Sequence, residues 1–168
     1  MDEIVNRVAK SGLITFDLET LWPEREVVEY DLAQNLWQGL VLREKEFRDF
    51  VKNHDWSTFQ DHHVGLLCSA DAIVPSWAYM LLTTALEPYA ASVEFGEKEK
   101  VTHRKVLQAI EQLNEADFKD ARVIIKGCGD REVPMDVWVA ITARLKPWVK
   151  ILMYGEPCST VPVYKRKG

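Results

Sequence analysis

Two stretches of this chain repeat each other. Sliding the sequence by 59 positions lays residues 74–97 on residues 133–156 without a gap. Val74-Pro75 meets Val133-Pro134, Thr83 meets Thr142, Leu86 meets Leu145, and Pro88 meets Pro147. Gly96-Glu97 meets Gly155-Glu156, and Tyr79, Tyr89 and Phe95 fall on Trp138, Trp148 and Tyr154. Upstream, an apolar run ends in Cys68 in one copy and in Cys128 in the other, once a one-residue gap is allowed. The repeated unit, approximately residues 64–97 and 123–156, reads strand, cysteine loop, Val-Pro, helix, Pro, strand. A proline in the first helical turn gives up only an N–H that has no helical partner. The second proline restricts the residue before it and stops the helix. Two chance-similar βα segments predict the same architecture as a true duplication. In either case parallel strands are joined by helical crossovers, which gives an α/β fold with a mainly parallel sheet flanked by helices.

The rest of the chain fits that class. Residues 3–10 carry Ile4, Val5 and Val8 at helical spacing, which predicts a short amphipathic helix. Leu13-Ile14-Thr15-Phe16 reads as a strand with Asp17 and Glu19 at its exit. Asp31 is placed to cap a short helix reaching Trp37. Residues 44–53 fit a helix with Phe47, Phe50 and Val51 on one face, and residues 98–113 a more exposed one on Val101, Val106, Leu107 and Ile110. The helices expected over 75–87 and 137–145 are apolar nearly all round, which predicts core helices buried on every side.

With 168 residues, one domain spanning 1–168 is expected. That length buries enough apolar surface to fold without disulfide staples. The net charge of −5 argues against non-specific nucleic-acid binding. Lys165-Arg166-Lys167 is the one dense basic run and reads as a solvated tail. No apolar stretch reaches the length of a membrane span, and the acidic start Met1-Asp2-Glu3 has no signal-peptide core. A cytoplasmic location is therefore expected, with no membrane and no nucleic acid among its partners. An exposed edge strand would allow a homodimer.

In that compartment an odd set of three cysteines points to thiols or metal ligands. Cys68 and Cys128 each stand between an expected strand and an expected helix, and Cys158 follows the strand that closes the second repeat. Ligands of open parallel sheets bind outside the carboxyl ends of the strands, so the three thiols are expected at one rim. Three thiolates lack one donor for tetrahedral zinc. His63 or His62, Asp71, Asp130, Asp17 or Glu156 would supply it, and the same set would suit a labile iron–sulfur cluster. No CxxC pair and no HExxH motif fixes a metal by local spacing. Gly127-Cys128-Gly129-Asp130 offers backbone N–H groups to an anion. Asp17-Leu18-Glu19 is similar to the acidic strand exit of metal-dependent nucleases, but a structural role is the simpler reading. His54 and His103 read as surface residues.

Several strings together resemble a bacterial family of unknown function, number twenty-four eighty, found mostly in Bacteroidetes. They are Glu3-Ile4-Val5-Asn6-Arg7-Val8-Ala9, Cys68-Ser69-Ala70-Asp71-Ala72-Ile73-Val74-Pro75, Lys126-Gly127-Cys128, and the run from Met153 to Pro162. The resemblance spans essentially the whole chain. It implies no reaction and no catalytic residue. It loosely implies gene neighbourhoods for iron–sulfur assembly factors, and hence such proteins as partners.

Three functions stand open at this point. The first is a metal- or cluster-handling protein with Cys68, Cys128 and Cys158 as ligands, completed by Asp71 or His63. The second is a thiol-dependent enzyme or sulfur carrier with Cys68 as its nucleophile. The third is a scaffold or interaction protein whose cysteines are inert.

Overall fold

The computed structural model describes residues 6–8 (backbone only), 12–127 and 129–167. The chain divides into two compact units. Unit 1 comprises Met1–Trp22 and Arg104–Gly168, and unit 2 comprises Pro23–His103. Each has its own sheet and its own core, where the sequence suggested one sheet.

Unit 1 is built on a five-stranded sheet in the order β1-β2-β6-β7-β8. Its strands are β1 (Asn6–Val8), β2 (Leu13–Asp17), β6 (Arg122–Lys126), β7 (Ile151–Glu156) and β8 (Ser159–Lys165). The three central strands run parallel, and the two outer ones are antiparallel to their neighbours. The crossovers are α3 (Lys98–Glu111), which belongs to unit 1 from Arg104 onward, α4 (Glu115–Phe118) and α5 (Met135–Leu145). Alternation sends Ile14, Phe16, Val123, Ile125 and Leu152 to one face. There they pack on Val106 and Ile110 of α3, Phe118 of α4, and Val137, Ile141 and Leu145 of α5.

Unit 2 has a wholly parallel sheet of β3 (Val27–Asp31), β4 (His63–Leu67) and β5 (Ser92–Phe95). Helices α1 (Glu44–Asn53) and α2 (Ser76–Leu86) cover one face. Phe47 and Val51 of α1 and Ala78, Leu82 and Leu86 of α2 pack with Tyr30, Val64 and Leu66. Burial pushes the Tyr30 hydroxyl up to about 12, although its hydrogen bond to Asn35 works the other way.

The sequence periods located α1 and α3 well, because both are amphipathic. Four expectations change. Asn6–Val8 is a strand, paired antiparallel with Leu13–Thr15, where a helix was expected; the rest of that segment lies outside the described residues. Helices α2 and α5 are buried along one stripe only, and Met80, Met135 and Val139 stand exposed. Each of these crossover helices meets one face of its sheet along that stripe and turns the rest of its surface away. The short helix capped by Asp31 is a 3₁₀ turn that ends at Asn35. The basic tail is not free: Lys165 closes β8, and Arg166 donates its N–H to Lys150 O. Among the described residues no helix is long and apolar enough to cross a membrane.

Candidate functional site

The expected cysteine centre is distributed over both units. Cys68 belongs to unit 2, Cys158 to unit 1, and Cys128 lies outside the described residues. Cys68 is half-buried just beyond β4, its Sγ 3.7 Å from Ala70 O. Cys158 is exposed in the two-residue turn between β7 and β8. His63 opens β4 and Cys68 follows it, so five strand steps hold the two roughly 16 Å apart. His63 Nδ1 instead lies 2.8 Å from Ser92 Oγ, at the amino end of the sheet. Its neighbour His62 faces Glu26 at 3.7 Å. Asp71 is exposed in the loop after Cys68. Among the described residues, no three His, Cys, Asp or Glu side chains come together in a group that would hold a metal.

The acidic strand exits have structural work. Asp31 Oδ1 accepts the Ala33 N–H at 2.9 Å and the Ser69 N–H at 3.0 Å, and Oδ2 accepts the Ser69 hydroxyl. Asp31 thereby ties the end of β3 to the loop after β4. Burial by itself raises this carboxyl. The Ser69 hydroxyl and the Ser69 and Ala33 amides, which bond the charged form, outweigh it and hold the group below its ordinary 3.8. A depressed folded pKa stabilises the fold above the unfolded value, and that contribution is lost as pH falls through the folded one. Asp31→Ala is therefore expected to lower stability by about 2 kcal/mol near pH 7. In urea melts the gap to the parent protein narrows as pH is taken below 3.8; a gap that widens in acid contradicts this role.

Asp17 plays the same part after β2, accepting the Glu19 N–H at 2.9 Å. Glu19 reaches the loop after β6, where its Oε1 accepts the Arg131 N–H at 3.2 Å. A Cβ on Gly129 would stand 1.8 Å from that oxygen. The glycine loop that suggested an anion cradle thus already faces a carboxylate of its own chain.

What unit 1 does present, between α5 and β8 on the α5 side of its sheet, is an apolar cleft of about 420 Å³. Its floor is the end of β6 and β7, through Ile125 and Tyr154, and one wall is α5, through Met135, Trp138 and Thr142. Val163 of β8 forms the other wall. Trp138 and Tyr154 meet edge to face with ring centroids 5.2 Å apart. Gly127 makes room for the indole, since a Cβ there would lie 2.4 Å from Trp138 Cζ2. The Thr142 hydroxyl donates to Trp138 O at 2.7 Å, which leaves its methyl for the wall. At the strand ends Lys126 Nζ stands 3.5 Å from Glu156 Oε1.

Sequence reasoning passed over this cleft because it passed over β8. Thr160-Val161-Pro162-Val163-Tyr164 is rich in β-branched and aromatic residues, but its proline argues against a ladder. An edge strand tolerates proline, because one side of its backbone needs no partner. The signal available was the two-residue Pro157-Cys158 turn between two β-rich runs.

Fold and cleft together define an α/β protein of two units, each built on parallel strands, with an apolar cleft on the α5 side of the unit 1 sheet. The chain belongs to the family described as protein of unknown function (DUF2480), whose model matches residues 2–166. No curated protein and no solved structure matches it.

Proposed function

We propose that this is a binding protein that takes a small apolar ligand with a flat ring in the cleft of unit 1. The observation that carries the reading is the cleft itself. Its volume falls within the range of small-molecule pockets, and its wall is apolar and aromatic. A flat ring would pack against Trp138 and Tyr154, and burial of its apolar surface would supply the affinity. The cysteine readings gain no support from the geometry around Cys68 or Cys158.

Methionine methyl groups give a direct test. The chain has four methionines, of which Met135 and Met153 line the cleft. Titration with indole is expected to shift these two methyl resonances saturably. Val163→Arg, which places a charge on an exposed wall position, is expected to weaken that binding by at least about tenfold. Unmoved Met135 and Met153 resonances, or equal binding by the variant, would reject the reading.

A further inference from the structure

We infer that unit 1 carries an anion site at the amino end of β7, for a compact, multiply charged phosphate such as a diphosphate group. The charge of the chain is unevenly placed. Residues 146–168 hold five cations (Lys146, Lys150, Lys165, Arg166 and Lys167) and one carboxylate side chain, Glu156, in a chain of net charge −5. The fold gathers part of that charge. Lys150 stands just before β7 and Arg166 just after β8. Antiparallel pairing of the two strands lays these residues side by side, and the Arg166 N–H donates to Lys150 O at 2.9 Å. Together with Lys167 and Asp120 they line a cavity of about 310 Å³, which shares no residue with the apolar cleft.

Three cations face one carboxylate here, and the carboxylate is already engaged. Arg166 Nη1 donates to Asp120 Oδ1, and Nη2 donates to Pro147 O at 3.1 Å. Asp120 is held in turn, because its N–H bonds Trp148 O at 2.8 Å. The guanidinium is thus tied to the segment before β6 and to the turn between α5 and β7, and Asp120 balances its charge. The charge left over is that of Lys150 and Lys167. Neither ammonium group has a carboxylate or hydrogen-bond partner among the described residues. A lysine serves a phosphate as a point charge, and an arginine serves it as a directed donor. A guanidinium has more N–H donors than Asp120 and Pro147 use. Because it is fixed before a ligand arrives, little side-chain freedom is lost on binding. Two uncompensated positive charges match a ligand of at least two negative ones. The rest of the chain is more acidic than the whole, so a polyanion that extends past the cavity meets repulsion, and a compact ligand is favoured.

Backbone amide NMR of the full chain tests this site. Titration with inorganic pyrophosphate at constant ionic strength is expected to shift the Lys150, Arg166 and Lys167 amides saturably. Lys150→Gln combined with Lys167→Gln removes both ammonium groups from exposed positions and leaves the Arg166–Asp120 pair in place. That variant is expected to raise the midpoint by at least about tenfold. A lower midpoint with a nucleoside diphosphate supports a site that takes the group on a larger molecule, and an equal one supports a site that takes diphosphate alone. An unchanged midpoint in the double variant would overturn the site, as would amide shifts that grow in proportion to pyrophosphate without saturating. Saturable binding of a short single-stranded oligonucleotide with no response to pyrophosphate would also overturn it, and would assign these cations to a nucleic-acid strand.

Discussion

Phe118→Ala is expected to destabilise unit 1 by about 4 kcal/mol, the range of a buried aromatic replaced by a methyl group. Phe118 is 1% exposed at the end of α4. Its ring meets Phe16 of β2 edge to face at 5.7 Å and stacks on Trp148 at 6.5 Å. It therefore joins β2 to the turn that precedes β7. Removing it forfeits the transfer energy of the ring and leaves a void beside the Phe16 and Trp148 rings. Tightly packed interiors relax only partly into such a void. Urea denaturation followed by tryptophan fluorescence measures the loss. A change below about 1 kcal/mol would mean that the surrounding side chains collapse into the space.

Gly65→Ala is expected to cost unit 2 about 3 kcal/mol, for the opposite reason. Gly65 sits in the middle of β4, on the sheet face away from α1 and α2. A Cβ there would lie 2.4 Å from Gly96 O and 3.2 Å from Val101 Cγ2. The first of these neighbours is backbone, and it is held, because the Gly96 N–H bonds Leu66 O at 2.8 Å. Relief must come from moving β5 or the start of α3 away from β4. The expected signature is a lower urea midpoint with faster amide exchange in Val93–Phe95. Native stability in the alanine variant would show that this backbone yields freely.

The same two sites show which features a sequence reader can see. Gly65 stands inside an apolar run, where a glycine signals either a bulge or a close approach, and sequence alone does not choose between them. The close approach depends on where Gly96 passes, 31 residues further along the chain. Phe118, by contrast, is legible as an apolar residue before a turn, but its partners Phe16 and Trp148 come from distant segments. The cleft follows the same rule. Trp138 and Tyr154 are visible in the sequence as aromatics at matched positions. Their exposure depends on α5 meeting one sheet face only and on β8 folding back beside β7.

Cys68, Cys128 and Cys158 share a local context at strand ends, and that context is what a sequence displays. Which sheet each strand joins is a matter of pairing. β4 pairs with β3 and β5, while β6 pairs with β2 and β7, which assigns Cys68 and Cys158 to different units. The strand bounds also place Gly127, not Cys128, at the counterpart of Cys68, so the one-residue gap used to align the cysteines has no counterpart in the strands.

The sequence by itself determined the α/β class, the parallel strands, the proline-bounded helices and the capping role of Asp31. All of these rest on interactions within a few residues: alternation, helical period, caps and the fixed φ of proline. Tertiary structure alone decided that the strands form two sheets, that α2 and α5 keep apolar side chains in solvent, that Glu19 faces the glycine loop, and that β8 walls a cleft. Each of those depends on which distant segments share hydrogen bonds and surface, and residue spacing carries no record of that pairing.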